Sequence, residues 1–193
     1  MKTLFEPDLI RSPGDAKARP HGNCYWVVPG RVLAGEYPGG YVSAQVEKRM
    51  LALVDAGVTQ CFNFTHEAEA LPPYGQALAQ AATLRGLQAF TQRHAVADFG
   101  VPAVKGMQAA LEAMDQALAS GANIYLHCRA GIGRTGTAVG CFLVEQGLDA
   151  ADALELIHFK WQVMDKRRAA PHSPETDEQR DFIQRWASLR AGC

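Results

Sequence analysis

The chain has 193 residues, a net charge of −1 and 48% hydrophobic residues. That length and apolar content suit one domain with a real core. The near-neutral charge offers no global reason to bind nucleic acid or an acidic membrane surface. No apolar run is long enough to cross a bilayer, and Glu6, Pro7 and Asp8 interrupt the N-terminus where a signal peptide needs an apolar stretch. Five cysteines, an odd number without framework spacing, fit a reducing cytoplasm. No Cys or His pair has zinc-ligand spacing, so no metal site is expected.

Residues 1–20 carry Pro7, Pro13 and Pro20 without periodicity and read as an irregular N-terminal arm; residues 21–193 read as a single domain. Cys24–Val28 and Arg31–Ala34 read as strands joined by Pro29-Gly30. Ser43–Ala56 reads as a helix stopped by Gly57. A strand follows over Gln60–Phe64, then a helix over Tyr74–Arg85 and a strand over Leu87–Gln92. Val104, Met107, Leu111, Met114 and Leu118 recur at three and four residues and predict an amphipathic helix. Asn123–Leu126 reads as a buried strand, Gly136–Gln146 as a buried helix, and Asp149–Met164 as another. Ser173 as N-cap and Pro174 at N1 start a last helix, with Phe182, Ile183, Trp186 and Leu189 as its apolar face. Strands alternating with helices predict an α/β fold with a largely parallel sheet.

The stretch His127–Gly136, HCRAGIGRTG, carries most of the functional signal. It lies on a strand–loop–helix turn, where backbone N–H groups and a helix N-terminus converge on a small anion. The backbone of Arg129, Ala130, Gly131, Ile132 and Gly133 would line that cradle, with the Cys128 sulfur at its floor. A thiol is a weak nucleophile until it ionises, and cationic groups or helix N-termini favour ionisation. Arg134 supplies a planar fork able to grip two phosphate oxygens. Gly131 and Gly133 let the loop turn its N–H groups inward. Thr135 can donate a hydrogen bond to the sulfur, and His127 would orient the loop backbone. Gly131, Gly133 and Gly136 also match a dinucleotide fingerprint, but no strand ending in an acidic residue follows at the required distance. A dinucleotide site would also leave Cys128 and Arg134 without a task.

His127, Cys128, Arg134 and Thr135 resemble the H-C-x5-R-[ST] signature of the cysteine-dependent protein tyrosine phosphatase superfamily, in particular its compact dual-specificity members. The resemblance covers about residues 21–193. It implies a short mixed, largely parallel central sheet flanked by helices, and turnover through a phosphocysteine with a general acid on a second loop. Val96–Pro102 is similar to the family's W-P-D-x-G-x-P loop: it keeps Asp98, Gly100 and Pro102 but has Val96 and Ala97 in place of Trp and Pro. Asp98 would be the acid, 30 residues before Cys128. Ser173–Gln179 is similar to the family's Q-T-x-x-Q loop, with Glu175 in place of the first glutamine, so Gln179 would place the hydrolytic water. Arg31–Gly39 looks like the substrate-side loop, with Tyr37 beside the pocket. The basic run Lys166-Arg167-Arg168 would either attract an acidic phosphosubstrate or stand as a solvated loop. Cys24 or Cys61 could pair with an oxidised Cys128.

The resemblance implies a phosphorylated protein or peptide as partner and substrate, with no nucleic acid or membrane. Arg129 is basic, but Ile132 stands where inositol-lipid phosphatases often carry lysine, so inositol phosphates rank second. A phosphate-binding pseudophosphatase is the reading from a different class.

Overall fold

The computed structural model describes residues 4–192; the ends of the expected arm and domain, residues 1–3 and 193, lie outside them. Within the segment read as an irregular arm, Pro7–Arg11 forms a short helix, α1. The domain proper then runs β1 (Cys24–Val28), β2 (Val32–Gly35), α2 (Ser43–Asp55), β3 (Val58–Asn63), α3 (Gly75–Thr83) and β4 (Phe90–Arg93). It continues through α4 (Val104–Ala119), β5 (Asn123–His127), α5 (Gly133–Glu145), α6 (Ala150–Trp161), α7 (Asp177–Gln184) and α8 (Trp186–Ala191).

The five strands form one sheet in the order β1-β2-β5-β3-β4. β1 and β2 are an antiparallel hairpin, and every other pairing is parallel. This is the short mixed, largely parallel sheet expected, flanked by helices on both faces. Side chains alternate across a strand, and β5 shows it. Ile124 and Leu126 enter the core shared with α4, α5, α6 and α7. Tyr125 enters the core shared with α2 and α3. β5 is central and buried on both faces, which explains its unbroken apolar run. β4 is an edge strand with all four residues exposed.

Local details differ from the sequence reading where tertiary contacts override propensity. α5 begins at Gly133, three residues early, because the loop after Cys128 itself winds into the first turn. The last helix starts later. Thr176 is its N-cap, its hydroxyl accepting from the Gln179 N–H while the Gln179 side chain returns the bond to Thr176 N–H. That reciprocal capping box outcompetes the Ser173-Pro174 start, because the Ser173 hydroxyl is already committed to the Ile132 carbonyl (2.8 Å). The same helix breaks at Arg185 into α7 and α8. The pattern also conceals two 3-10 turns, Glu67–Glu69 and Asp165–Arg168.

Candidate active site

β5 delivers Cys128 to the C-terminal edge of the sheet, and residues 128–132 curl from there into α5. Four carbonyls of this loop point outward and are held by other elements. His127 Nδ1 lies 3.3 Å from the Cys128 carbonyl. The Tyr37 N–H donates to the Arg129 carbonyl (3.0 Å). Lys166 Nζ donates to the Ala130 carbonyl (2.8 Å) while pairing with Glu36 (2.8 Å). The Ser173 hydroxyl donates to the Ile132 carbonyl. A peptide whose C=O is fixed outward turns its N–H the other way. Among the described residues, none of the N–H groups of Arg129 through Arg134 donates to another chain atom. Those donors and the N-terminus of α5 together make a set of unpaired N–H groups of the kind that attracts a small anion.

Close packing fixes the loop from below. Gly131 has φ +76°, and a Cβ there would fall 2.4 Å from the backbone of Gly35, so only glycine fits. At Gly133 a Cβ would meet the Gln179 amide oxygen at 2.7 Å. Cys128 is 2% exposed, and the Thr135 hydroxyl is buried without a hydrogen-bond partner. His127 is fully buried beneath the loop, its Nε2 2.6 Å from the Tyr74 hydroxyl. Burial holds the His127 imidazole neutral, pushing its pKa down to about 3.

Arg134 reaches up from the first turn of α5 and gathers two other segments. Its guanidinium donates to the Val96 carbonyl (3.0 Å), to Asp98 (2.7 Å) and to both carboxylate oxygens of Glu69, the second at 3.0 Å. The bidentate fork fixes the plane of the guanidinium. Burial alone would raise the Glu69 carboxyl; the Arg134 hydrogen bonds and the His66 N–H outweigh it and hold Glu69 below its usual range.

The sequence reading misses Glu69, 65 residues before its partner. The available signal is the run His66–Glu69 after β3, which closes a capping box around the 3-10 turn. It also misses the anchoring role of Lys166, which is neither a free solvated residue nor turned outward.

Cys128, Arg134, Asp98 and Gln179 thus come together. Gln179 is fully buried; its amide accepts from the Glu175 and Thr176 N–H groups and donates to the Gly100 carbonyl in the Asp98 loop (3.0 Å). Arg129 is exposed. Tyr37 packs edge-on against the His127 ring, 5.4 Å between centroids. Cys24 and Cys61 lie in the α2–α3 core, on the sheet face opposite the core that contains Cys128. That placement is a poor one for pairing with Cys128. Among the described residues no group of three His, Cys, Asp or Glu side chains is arranged to hold a metal ion, and no helix is long and apolar enough to cross a membrane.

The fold recurs in solved structures. Kinase associated phosphatase, determined with its catalytic cysteine replaced by serine, superposes with a TM-score of 0.68 at 17% identity, covering 84% of this chain and 88% of that one. PTPMT1 in complex with PI(5)P gives a TM-score of 0.61 at 20% identity over 84% and 94%. Pseudomonas aeruginosa TpbA in complex with pTyr gives 0.60 at 16% identity over 91% and 93%. Residues 21–183 match the family described as PTP-SAK, the Swiss Army Knife protein, DSP-PTPase phosphatase domain. With the whole H-C-x5-R-[ST] loop in place on that fold, the chain belongs to this family of cysteine-dependent phosphatases.

Proposed function

We propose that the chain is a protein tyrosine or dual-specificity phosphatase acting through a phosphocysteine. The observation that carries this reading is the cradle of unpaired N–H groups around Cys128, with Arg134 and Asp98 joined at 2.7 Å on its rim. In the first step the Cys128 thiolate attacks phosphorus in line. The S–P bond forms as the ester P–O bond breaks. The loop N–H groups and the Arg134 guanidinium hold the three equatorial oxygens, and Asp98 gives its proton to the departing oxygen. In the second step Asp98, now a carboxylate, takes a proton from water. The water oxygen bonds phosphorus, the S–P bond breaks, and the Thr135 hydroxyl stabilises the returning thiolate. Gln179, fixed between Gly133 and the Gly100 carbonyl, is suited to place that water. Arginine and amides carry the charge stabilisation, so the scheme calls for no metal or other cofactor.

Residues 21–193 would act as one catalytic domain, with residues 1–20 as an arm over it. Four free, buried cysteines favour a reducing, cytoplasmic setting. The bound ligands of TpbA and PTPMT1 bracket the substrate question. Ile132, the N-cap of α5, stands in place of a second cation and favours phosphoprotein over inositol phosphate.

The test is hydrolysis of phosphotyrosine, phosphoserine and phosphothreonine peptides and inositol phosphates in chelator, with Cys128→Ser as control. The expected result is phosphotyrosine turnover that Cys128→Ser abolishes while retaining phosphate binding. Turnover of inositol phosphates alone would move the substrate class. No turnover by the wild type would leave a phosphate-binding pseudophosphatase.

A further inference from the structure

Beside the cradle, on the α3 side, lies a groove of about 310 Å³. Tyr37, Tyr74, Thr91, Glu67 and Arg93 line it. The groove is tied to the cradle at two points. The Tyr37 N–H holds the Arg129 carbonyl, and the Tyr74 hydroxyl contacts His127. Sheet register gives the spacing. Arg93 pairs with Asn63, and Asn63 with His127, so the three stand on one rung. Adjacent strands lie about 4.8 Å apart, which puts the Arg93 backbone roughly 10 Å from that of His127, the residue before the nucleophile.

The 3-10 turn after β3 serves both places. Its Glu69 carboxylate holds Arg134, while Glu67, two residues earlier, pairs with Arg93 at 3.3 Å. The two pairs are unequal. The Arg134 side chain is buried and that of Glu69 is 10% exposed, whereas the Glu67 side chain is 84% exposed and that of Arg93 is 36% exposed. An exposed pair of this kind contributes little, so Glu67 yields readily to a competing anion. Arg93 presents a planar fork suited to a carboxylate or phosphate, with tyrosine rings beside it.

We propose that this groove is a second anion subsite, in which Arg93 binds an acidic side chain of the phosphopeptide that enters the cradle. An extended peptide advances about 3.3 Å per residue, so roughly 10 Å places that acidic residue two or three positions from the phosphoresidue. The proposal rests on the phosphopeptide reading above and deepens it.

The test measures peptide affinity in the Cys128→Ser background, so that it does not depend on turnover. Fluorescent phosphotyrosine peptides carrying Asp two or three residues from the phosphotyrosine are titrated beside their Asn counterparts. The Asp peptide is expected to bind about five- to tenfold more tightly. Arg93→Gln should reduce that ratio to about one, and Glu67→Gln, which releases Arg93, should raise it. A ratio near one before the Arg93 change, a ratio that survives Arg93→Gln, or one that falls with Glu67→Gln would overturn the subsite. Hydrolysis of p-nitrophenyl phosphate by the wild type is read in parallel. Its absence would sink the phosphatase reading, while the affinity ratio would still decide the subsite.

Discussion

The loop that follows Cys128 and the loop that carries Asp98 both meet at Arg134, but they are built differently. The cradle, residues 128–132, has four carbonyls held by other elements and a glycine at φ +76° pressed onto the Gly35 backbone. The Asp98 loop lies on the surface. Phe99 beside it is 59% exposed and sits at φ +60°, where a bulky side chain is strained. Its attachments among the described residues are few: Arg134 to Val96 and Asp98, Gln179 to Gly100, and the Val96 N–H to the Phe64 carbonyl. The difference teaches a division of labour. Charge stabilisation needs donors that do not reorganise, whereas a proton donor must approach and leave the substrate, and loops of low local stability are where such motion resides.

The largest effect should come from the shared residue. Arg134→Lys should lower kcat/KM about 10³-fold or more, nearly as much as Arg134→Ala, because a point charge replaces a bidentate fork. A mild loss in steady-state assays would mean that the fork is not what the cradle uses. Asp98→Ala should lower kcat by about 10²-fold or more on substrates with poor leaving groups, and much less with p-nitrophenyl phosphate. Equal losses on both would move the acid elsewhere. In the cradle, Gly131→Ala should cost about 2–4 kcal/mol in denaturant unfolding, from the left-handed backbone and the clash with Gly35. An unchanged midpoint would show that the cradle is as yielding as its neighbour.

Acid should also act on the cradle side. Burial and nearby cations lower His21 to about 4, burial lowers His127 to about 3, and both lie near Tyr125 below the loop. Unfolded imidazoles take protons from about pH 6.5 downward while these two do not, so acid favours the unfolded state. Stability should therefore fall between about pH 6.5 and 4, by roughly 2–3 kcal/mol per pH unit near pH 5. Chemical denaturation at several pH values reads that slope, and His127→Gln should remove about half of it. The smallest effect belongs to the Asp98 loop. Phe99→Gly relieves the positive φ and should change stability by about 1 kcal/mol or less. A loss of several kcal/mol would show the loop to be a packed element.

The anion loop was legible because its chemistry is local. His127 through Thr135 are contiguous, and each position's task follows from residue type and spacing. The order of strands and helices was legible for the same reason: apolar periodicity reports burial directly, as the 104–118 stripe and the apolar run of β5 show. The short 3-10 turns were not, since three or four residues carry no period. The start of the last helix was misplaced because Ser173, a good N-cap by type, is bound to Ile132, a contact across the fold. Glu69 with Arg134, Lys166 with Ala130, and Arg93 on one rung with His127 join residues separated by 34 to 65 positions. Residue type alone made Cys128 a nucleophile candidate and Arg134 a phosphate ligand. Which carboxylate fixes that arginine, which donors turn the loop carbonyls outward, and which second cation stands beside the cradle were decided by sheet order, because such pairings exist only once distant strands lie side by side.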